Sequence, residues 1–306
     1  MKAKDSILGI FWKLIYPILI FVGVEILIEF IVSGIVSGYG VSKGLVSADN
    51  PKELSEWVTD TVSGFLIYIS MLRSIIVIPL CYFIIRKDII FEIGNKTFVA
   101  YSSYDKRWLL LLPVLAVAMA YGFNHIVPLF AEGVQNLLNT IGRAWFAKDW
   151  NIDFLASYSD KAKNVYSNKF VIKLISAGIL TPVTEELLFR GLLYSRLRKN
   201  MNATGSMIIS AVVFAAFHGN FVQIIYAFMV GIIFAHIYEQ FKSVWASVIL
   251  HCVANITAVI TTYTVGANGI AVGMGSIVLL STVELAICFI ILFILKKKVN
   301  RIPLNE

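Results

Sequence analysis

The sequence predicts an all-α, polytopic transmembrane helical bundle of about eight spans. Composition is the first reason. Of 306 residues, 58% are hydrophobic and only 15% are charged, whereas soluble domains are about half apolar and about a quarter charged. Mean hydropathy is +0.80. The second reason is length: many apolar stretches reach or approach the roughly 20 residues that a helix needs to cross hydrocarbon. The third is charge placement, because lysine and arginine collect in alternate connections.

In chain order the apolar segments run near 7–36, 62–85, 108–131, 169–195, 205–218, 221–240, 243–264 and 270–295. Lys2 and Lys4 precede the first, and no small-residue cleavage site follows it, so it reads as a retained signal anchor. The connection 37–61 carries Asp49, Glu53, Glu56 and Asp60. Arg86, Lys87, Lys96, Lys106 and Arg107 separate the second and third segments. The connection 132–168 is too long for a turn, and its Trp145, Phe146, Trp150 and Phe154 suit a partly interfacial, amphipathic course. The fourth segment ends at Arg196, Arg198 and Lys199, and the last at Lys296, Lys297, Lys298 and Arg301. The fifth is short and needs enclosure by neighbouring helices or little tilt. Eight spans put every basic group on one side, with both termini in the cytoplasm. The net charge of +7 therefore sets orientation in a lipid bilayer and does not imply a nucleic-acid partner. Cys81, Cys252 and Cys288 lie far apart in apolar stretches, without metal or redox spacing, and are expected to pack.

Six polar residues stand out because they fall inside these apolar segments: Glu185, Glu186, Arg190, His218, His251 and Asn255. Ionisable groups in hydrocarbon are costly and call for a reason. At 1.5 Å per helical residue, Glu185 lies roughly 16 Å from the cytoplasmic end of its segment, His218 roughly 20 Å, and His251 and Asn255 roughly 12 and 18 Å. Three helices of alternating direction thus carry them to a similar depth, as one shared water-filled cavity opening toward the cytoplasm would require. Glu186 and Arg190 are four apart with the acid first, the favourable order for an ion pair. Glu185 points about 100° away and is left free as a base. His251 and Asn255 share a face and can hold an oxyanion. His218 can position the water or move its proton. A three-ligand zinc site from Glu185, His218 and His251 is the alternative, although no His-Glu-x-x-His is present.

Bland readings compete at each position. A buried ion pair alone accounts for Glu186 and Arg190, and interhelical hydrogen bonds alone could account for either histidine. His125 and His236 are expected to be structural. Glu25, Glu29, Arg73 and Glu284 are expected to pair within the bundle. Gly40-Val41-Ser42-Lys43-Gly44 matches the nucleophile-elbow pattern but follows a membrane span, where no strand can precede it.

Glu185-Glu186-Leu187-Leu188-Phe189-Arg190-Gly191, Phe214 to His218, Gly231 to Tyr238, and His251 to Asn255 occur in order on separate segments. This pattern resembles the CPBP family of intramembrane proteases (CAAX proteases and bacteriocin-processing enzymes, also called Abi) over about 175–260. The resemblance implies a membrane-embedded endopeptidase. Glu185 would be the general base aided by His218, His251 and Asn255 would hold the oxyanion, and Glu186 with Arg190 would support the site. The family is often labelled a metalloprotease, while its eukaryotic relatives look glutamate-dependent. Its substrates are membrane-associated or lipid-modified peptides and proteins. The expected organisation is 1–168 without recognised motifs, 169–264 as the catalytic core, and 265–306 as the last span and basic tail. The style of the chain looks like a multi-pass protein of a bacterial plasma membrane. Two other classes remain: a non-enzymatic membrane immunity or regulatory partner, and a proton-coupled carrier, for which no inverted repeat is found.

Overall fold

The computed structural model describes residues 7–94, 106–156, 170–265 and 274–299. Lys2, Lys4, Lys96, Arg301 and residues 157–169 of the long connection lie outside the described residues. Every regular element among the described residues is helical, so the predicted all-α class holds. In order these are α1 (Ile7–Ser42), α2 (Pro51–Ser63), α3 (Leu66–Gly94), a 3-10 turn (Lys106–Leu110), α4 (Leu111–Trp145), α5 (170–200), α6 (Ala203–Ala216), α7 (Phe221–Phe241), α8 (Val244–Val265) and α9 (Met274–Lys298).

Among the described residues, six stretches are long and apolar enough to cross a membrane: Phe11–Ser42, Leu66–Asp88, Lys106–Trp145, Phe221–Phe241, Val244–Thr264 and Gly275–Lys298. The other two expected spans are irregular. α6 has 14 residues, about 21 Å, which falls short of a hydrocarbon core of about 30 Å. α5 alternates between α and π geometry: Phe170–Ile175 is α, Ser176–Leu180 π, Thr181–Glu186 α, Leu187–Tyr194 π and Ser195–Asn200 α.

Sequence explains who sits where. α1 and α9 are apolar all round and expose Phe11, Ile26, Phe30, Leu279, Phe289 and Phe293, as lipid-facing helices do. α4 is central and buries Leu112, Leu115, Ala116 and Met119 completely. Gly122 lets it approach α9, because a methyl there would meet Leu285 and Glu284 at 3.2–3.3 Å.

Both long connections are shorter than the hydropathy pattern suggested. α1 continues to Ser42, and α2 begins at Pro51 behind an Asn50 cap whose side chain accepts from the Glu53 N–H. Proline at N1 and asparagine at the cap are strong start signals inside a polar stretch. α4 likewise continues past 131 to Trp145. The chain then folds back along it: Asn139 exchanges hydrogen bonds with the Ile152 backbone at 2.7 and 2.9 Å, and the Phe154 N–H donates to Gln135 Oε1 at 2.7 Å. Residues 40–42 are helical and Ser42 Oγ donates to the Tyr39 carbonyl, so no nucleophile elbow exists there.

Candidate active site

α5 is the backbone of the site. Pro182 has no N–H and cannot continue an i→i−4 ladder. The preceding turn widens instead, and the Thr181 N–H donates to Ser176 O, five residues back, the usual form of a π-bulge. In that register the Pro182 nitrogen would face Ala177 O. Asn255 Nδ2 from α8 donates to that carbonyl at 2.9 Å and supplies the missing bond. Thr184 Oγ1 donates to Leu180 O and Ser70 Oγ lies 3.2 Å from Thr181 Oγ1, which ties the bulge to α3.

Beyond the bulge, Glu186 and Arg190 are both fully buried and form the expected ion pair at 2.8 Å. Arg190 Nη2 also donates to Gly231 O at 2.9 Å. Gly231 must lack a side chain, because a methyl would meet Ala211 and Phe214 at 3.2 Å and push this carbonyl away. The guanidinium lies over the Phe214 and Phe234 rings at 4.6 and 5.2 Å, so aromatic faces replace part of its lost hydration.

His251 completes the network. Its Nδ1 is 2.9 Å from Glu186 Oε1, and its Nε2 is 3.7 Å from Glu185 Oε2. Phe234 stacks on the imidazole with centroids 4.4 Å apart. A carboxylate only accepts, so Nδ1 carries the proton and Nε2 faces Glu185. His218 follows the same logic. It lies just past α6, and its Nδ1 donates to Phe214 O at 3.0 Å, leaving Nε2 as the lone pair. Gly219, with φ +67, and the Asn220 cap of α7 close the turn that holds it.

A cavity of about 280 Å³ is lined by Glu185, His218, His251 and Asn255 together. Glu186 and Arg190 lie behind its wall. The alternative of a zinc site from Glu185, His218 and His251 finds no support in the geometry: although all three line the cavity, no three histidine, cysteine, aspartate or glutamate side chains among the described residues are placed to hold one metal ion.

The remaining intramembrane charges pair largely as expected. Arg73 binds Glu25 at 2.5 Å and His125 lies 3.4 Å from Glu284. Sequence reasoning missed the Gly231 carbonyl, the Phe214 and Phe234 faces, and two carboxamides that line the cavity, Asn124 on α4 and Gln223 on α7. An asparagine amid the apolar residues 111–131 was the available signal for Asn124. Nothing local marks the Gly231 carbonyl.

Residues 167–257 match the family described as Type II CAAX prenyl endopeptidase Rce1-like. A stretch of 89 residues is 27% identical to a Bacillus subtilis (strain 168) protein named "Putative membrane peptidase YdiL". That match covers 29% of this chain and 36% of the relative, so it spans about a third of each. No solved structure matches. The resemblance carried by the glutamate, histidine and asparagine motifs is thus borne out as a likeness: residues 167–257 of this multi-pass membrane protein, which supply most of the cavity lining, are similar to the Rce1-like CAAX prenyl endopeptidases.

Proposed function

We propose that this chain is an intramembrane endopeptidase of CAAX type, which hydrolyses a peptide bond in a membrane-associated peptide or protein of a bacterial plasma membrane. The observation that carries the reading is the convergence of Glu185, His218, His251 and Asn255 on one cavity, with His251 anchored by a buried ion pair. The Rce1-like match of residues 167–257 supports it.

Glu185 is half-buried, lines the cavity and lies 3.7 Å from His251 Nε2, so its carboxylate is available to a water in the cavity. It takes a proton as the water oxygen attacks the scissile carbonyl, and returns that proton to the leaving amine. His218, with its Nε2 lone pair toward the cavity, orients the same water. Glu186 fixes the His251 ring through Nδ1, so that the other edge of the ring faces the developing oxyanion beside the Asn255 amide. Asn255 keeps one amide hydrogen for the oxyanion while the other holds Ala177 O. Excluding bulk water strengthens each of these interactions.

The test compares secreted and membrane peptides from cells carrying wild type or Glu185→Gln at equal protein level. Losing a general base typically costs about 10²–10⁴-fold in rate, so at least one peptide terminus should vanish in the variant. Identical peptide profiles would sink the protease reading.

A further inference from the structure

A second proline opens a helix ladder, this time at the start of α1. Pro17 lies inside that helix and has no N–H, so the Lys13 carbonyl four residues back loses its helical donor. Arg196, at the end of α5, donates to this carbonyl through Nη1. Its Nη2 donates to Tyr16 OH at 2.8 Å, and its Nε donates to Asp88 Oδ2 of α3 at 2.8 Å. All three guanidinium nitrogens are engaged inside the protein, and the residue is buried. Arg196 is thus an internal strut that gathers three basic helix ends into one packed seam.

Gathering these ends concentrates positive charge on the outside of the seam. Lys13 and Lys199 are both exposed. Lys199 lies within charge range of Asp88, which attracts it, and of Lys13, which repels it. Over the three helix ends the sequence sets Lys13, Arg86, Lys87, Arg196 and Lys199 against Asp88 and Glu92. Beside this cluster Trp12, Tyr16, Leu19 and Ile20 line an open groove along α1. Their spacing puts them on one face of the helix, and the Trp12 and Tyr16 rings lie 6.3 Å apart. From Trp12 to Ile20 the groove runs ~12 Å, less than half of a hydrocarbon core of about 30 Å. It therefore stays within one leaflet. Tryptophan and tyrosine at the start of a span mark the headgroup level, and lysine stems at that level carry their charge toward the headgroups. The surface offers cations at the headgroup level and an apolar groove on the hydrocarbon side of them. A free anion would use only the first, and an uncharged lipid only the second.

We propose that this surface is a binding site for one anionic phospholipid, with the phosphate between Lys13 and Lys199 and an acyl chain in the groove of Trp12, Tyr16, Leu19 and Ile20. The positive-inside rule puts the basic helix ends at the cytoplasmic leaflet, where anionic lipids supply the matching charge. The bound lipid bridges α1 to α5 across the same seam as Arg196. It thereby ties the N-terminal half to the segment that carries the candidate active site. The inference does not depend on the endopeptidase reading.

Native mass spectrometry of the full chain in one detergent tests it, with phosphatidylglycerol or phosphatidylcholine of identical chains titrated in. Wild type should take up one phosphatidylglycerol in preference to phosphatidylcholine. Each lysine near an anionic headgroup contributes roughly a fivefold factor, so the double variant Lys13→Gln with Lys199→Gln should bind phosphatidylglycerol about 30-fold more weakly. Lys13→Arg with Lys199→Arg should keep the preference, which separates lost charge from lost folding. Lys296→Gln with Lys298→Gln removes the same charge from the end of α9 and should also keep it. Excess inorganic phosphate should not displace the lipid. Absence of a preference in wild type, or an equal loss in the α9 variant, would overturn the proposal. Displacement by phosphate alone would overturn it too, because the site would then read the anion without the chain.

Discussion

At the residue scale the decisive feature is one carboxylate oxygen serving two donors. Glu186 Oε1 accepts from both Arg190 and His251, and Glu186 and Arg190 are fully buried. Removing one member of a buried pair leaves the other uncompensated, at about 3–5 kcal/mol. Arg190→Ala should therefore lower the thermal stability of the purified protein steeply, whereas Glu185→Gln, beside the cavity, should leave it nearly unchanged. Equal melting temperatures for wild type and Arg190→Ala would refute the buried-pair account. The Glu186–Arg190 half of this network was legible in the sequence, because four-residue spacing on a helix dictates contact. The His251 half was legible only as a similar depth. Which glutamate takes Nδ1 depends on the rotation of α8 against α5, and no local pattern encodes it.

At the element scale, α5 departs from the regular helix that hydropathy implied. It carries two π stretches, and the first, just before Pro182, leaves the Ala177 carbonyl to be capped by Asn255. Asn255 thus has a structural duty besides any role at the oxyanion, and the two can be separated. Asn255→Ala removes the side-chain donor to this part-buried carbonyl and should cost about 0.5–1.5 kcal/mol. Adding Pro182→Ala returns a backbone N–H to that carbonyl, so the double variant should recover much of the lost stability. It should not recover cleavage, because the side-chain donor to the oxyanion is still missing. Full recovery of both would assign Asn255 to helix packing alone. Sequence could flag Pro182 and Asn255 separately. Their connection needs the i→i−5 register, which a period-3.6 reading cannot anticipate.

At the scale of the whole molecule, the segment with family motifs does not build the cavity alone. Residues before 167 supply Phe123, Asn124, Val127 and Pro128 as one wall, and their lack of motifs reflects this packing role. Apolar walls tolerate many side chains, so no fixed signature marks them. The two halves are stapled at the basic end, where Arg196 reaches Asp88 and the first turns of α1. If that staple transmits stability between the halves, Arg196→Ala and Asp88→Ala should not be additive. Contacting charged partners usually couple by about 0.5–3 kcal/mol, and Asp88 is partly exposed, so the lower part of that range applies. A double-mutant cycle on thermal unfolding in one detergent reads the coupling directly. Additive losses would mean that Arg196 is held by the Lys13 carbonyl and the Tyr16 ring, with Asp88 a bystander. In that case the basic seam would owe its closure to packing against α1, and truncating α1 would open it.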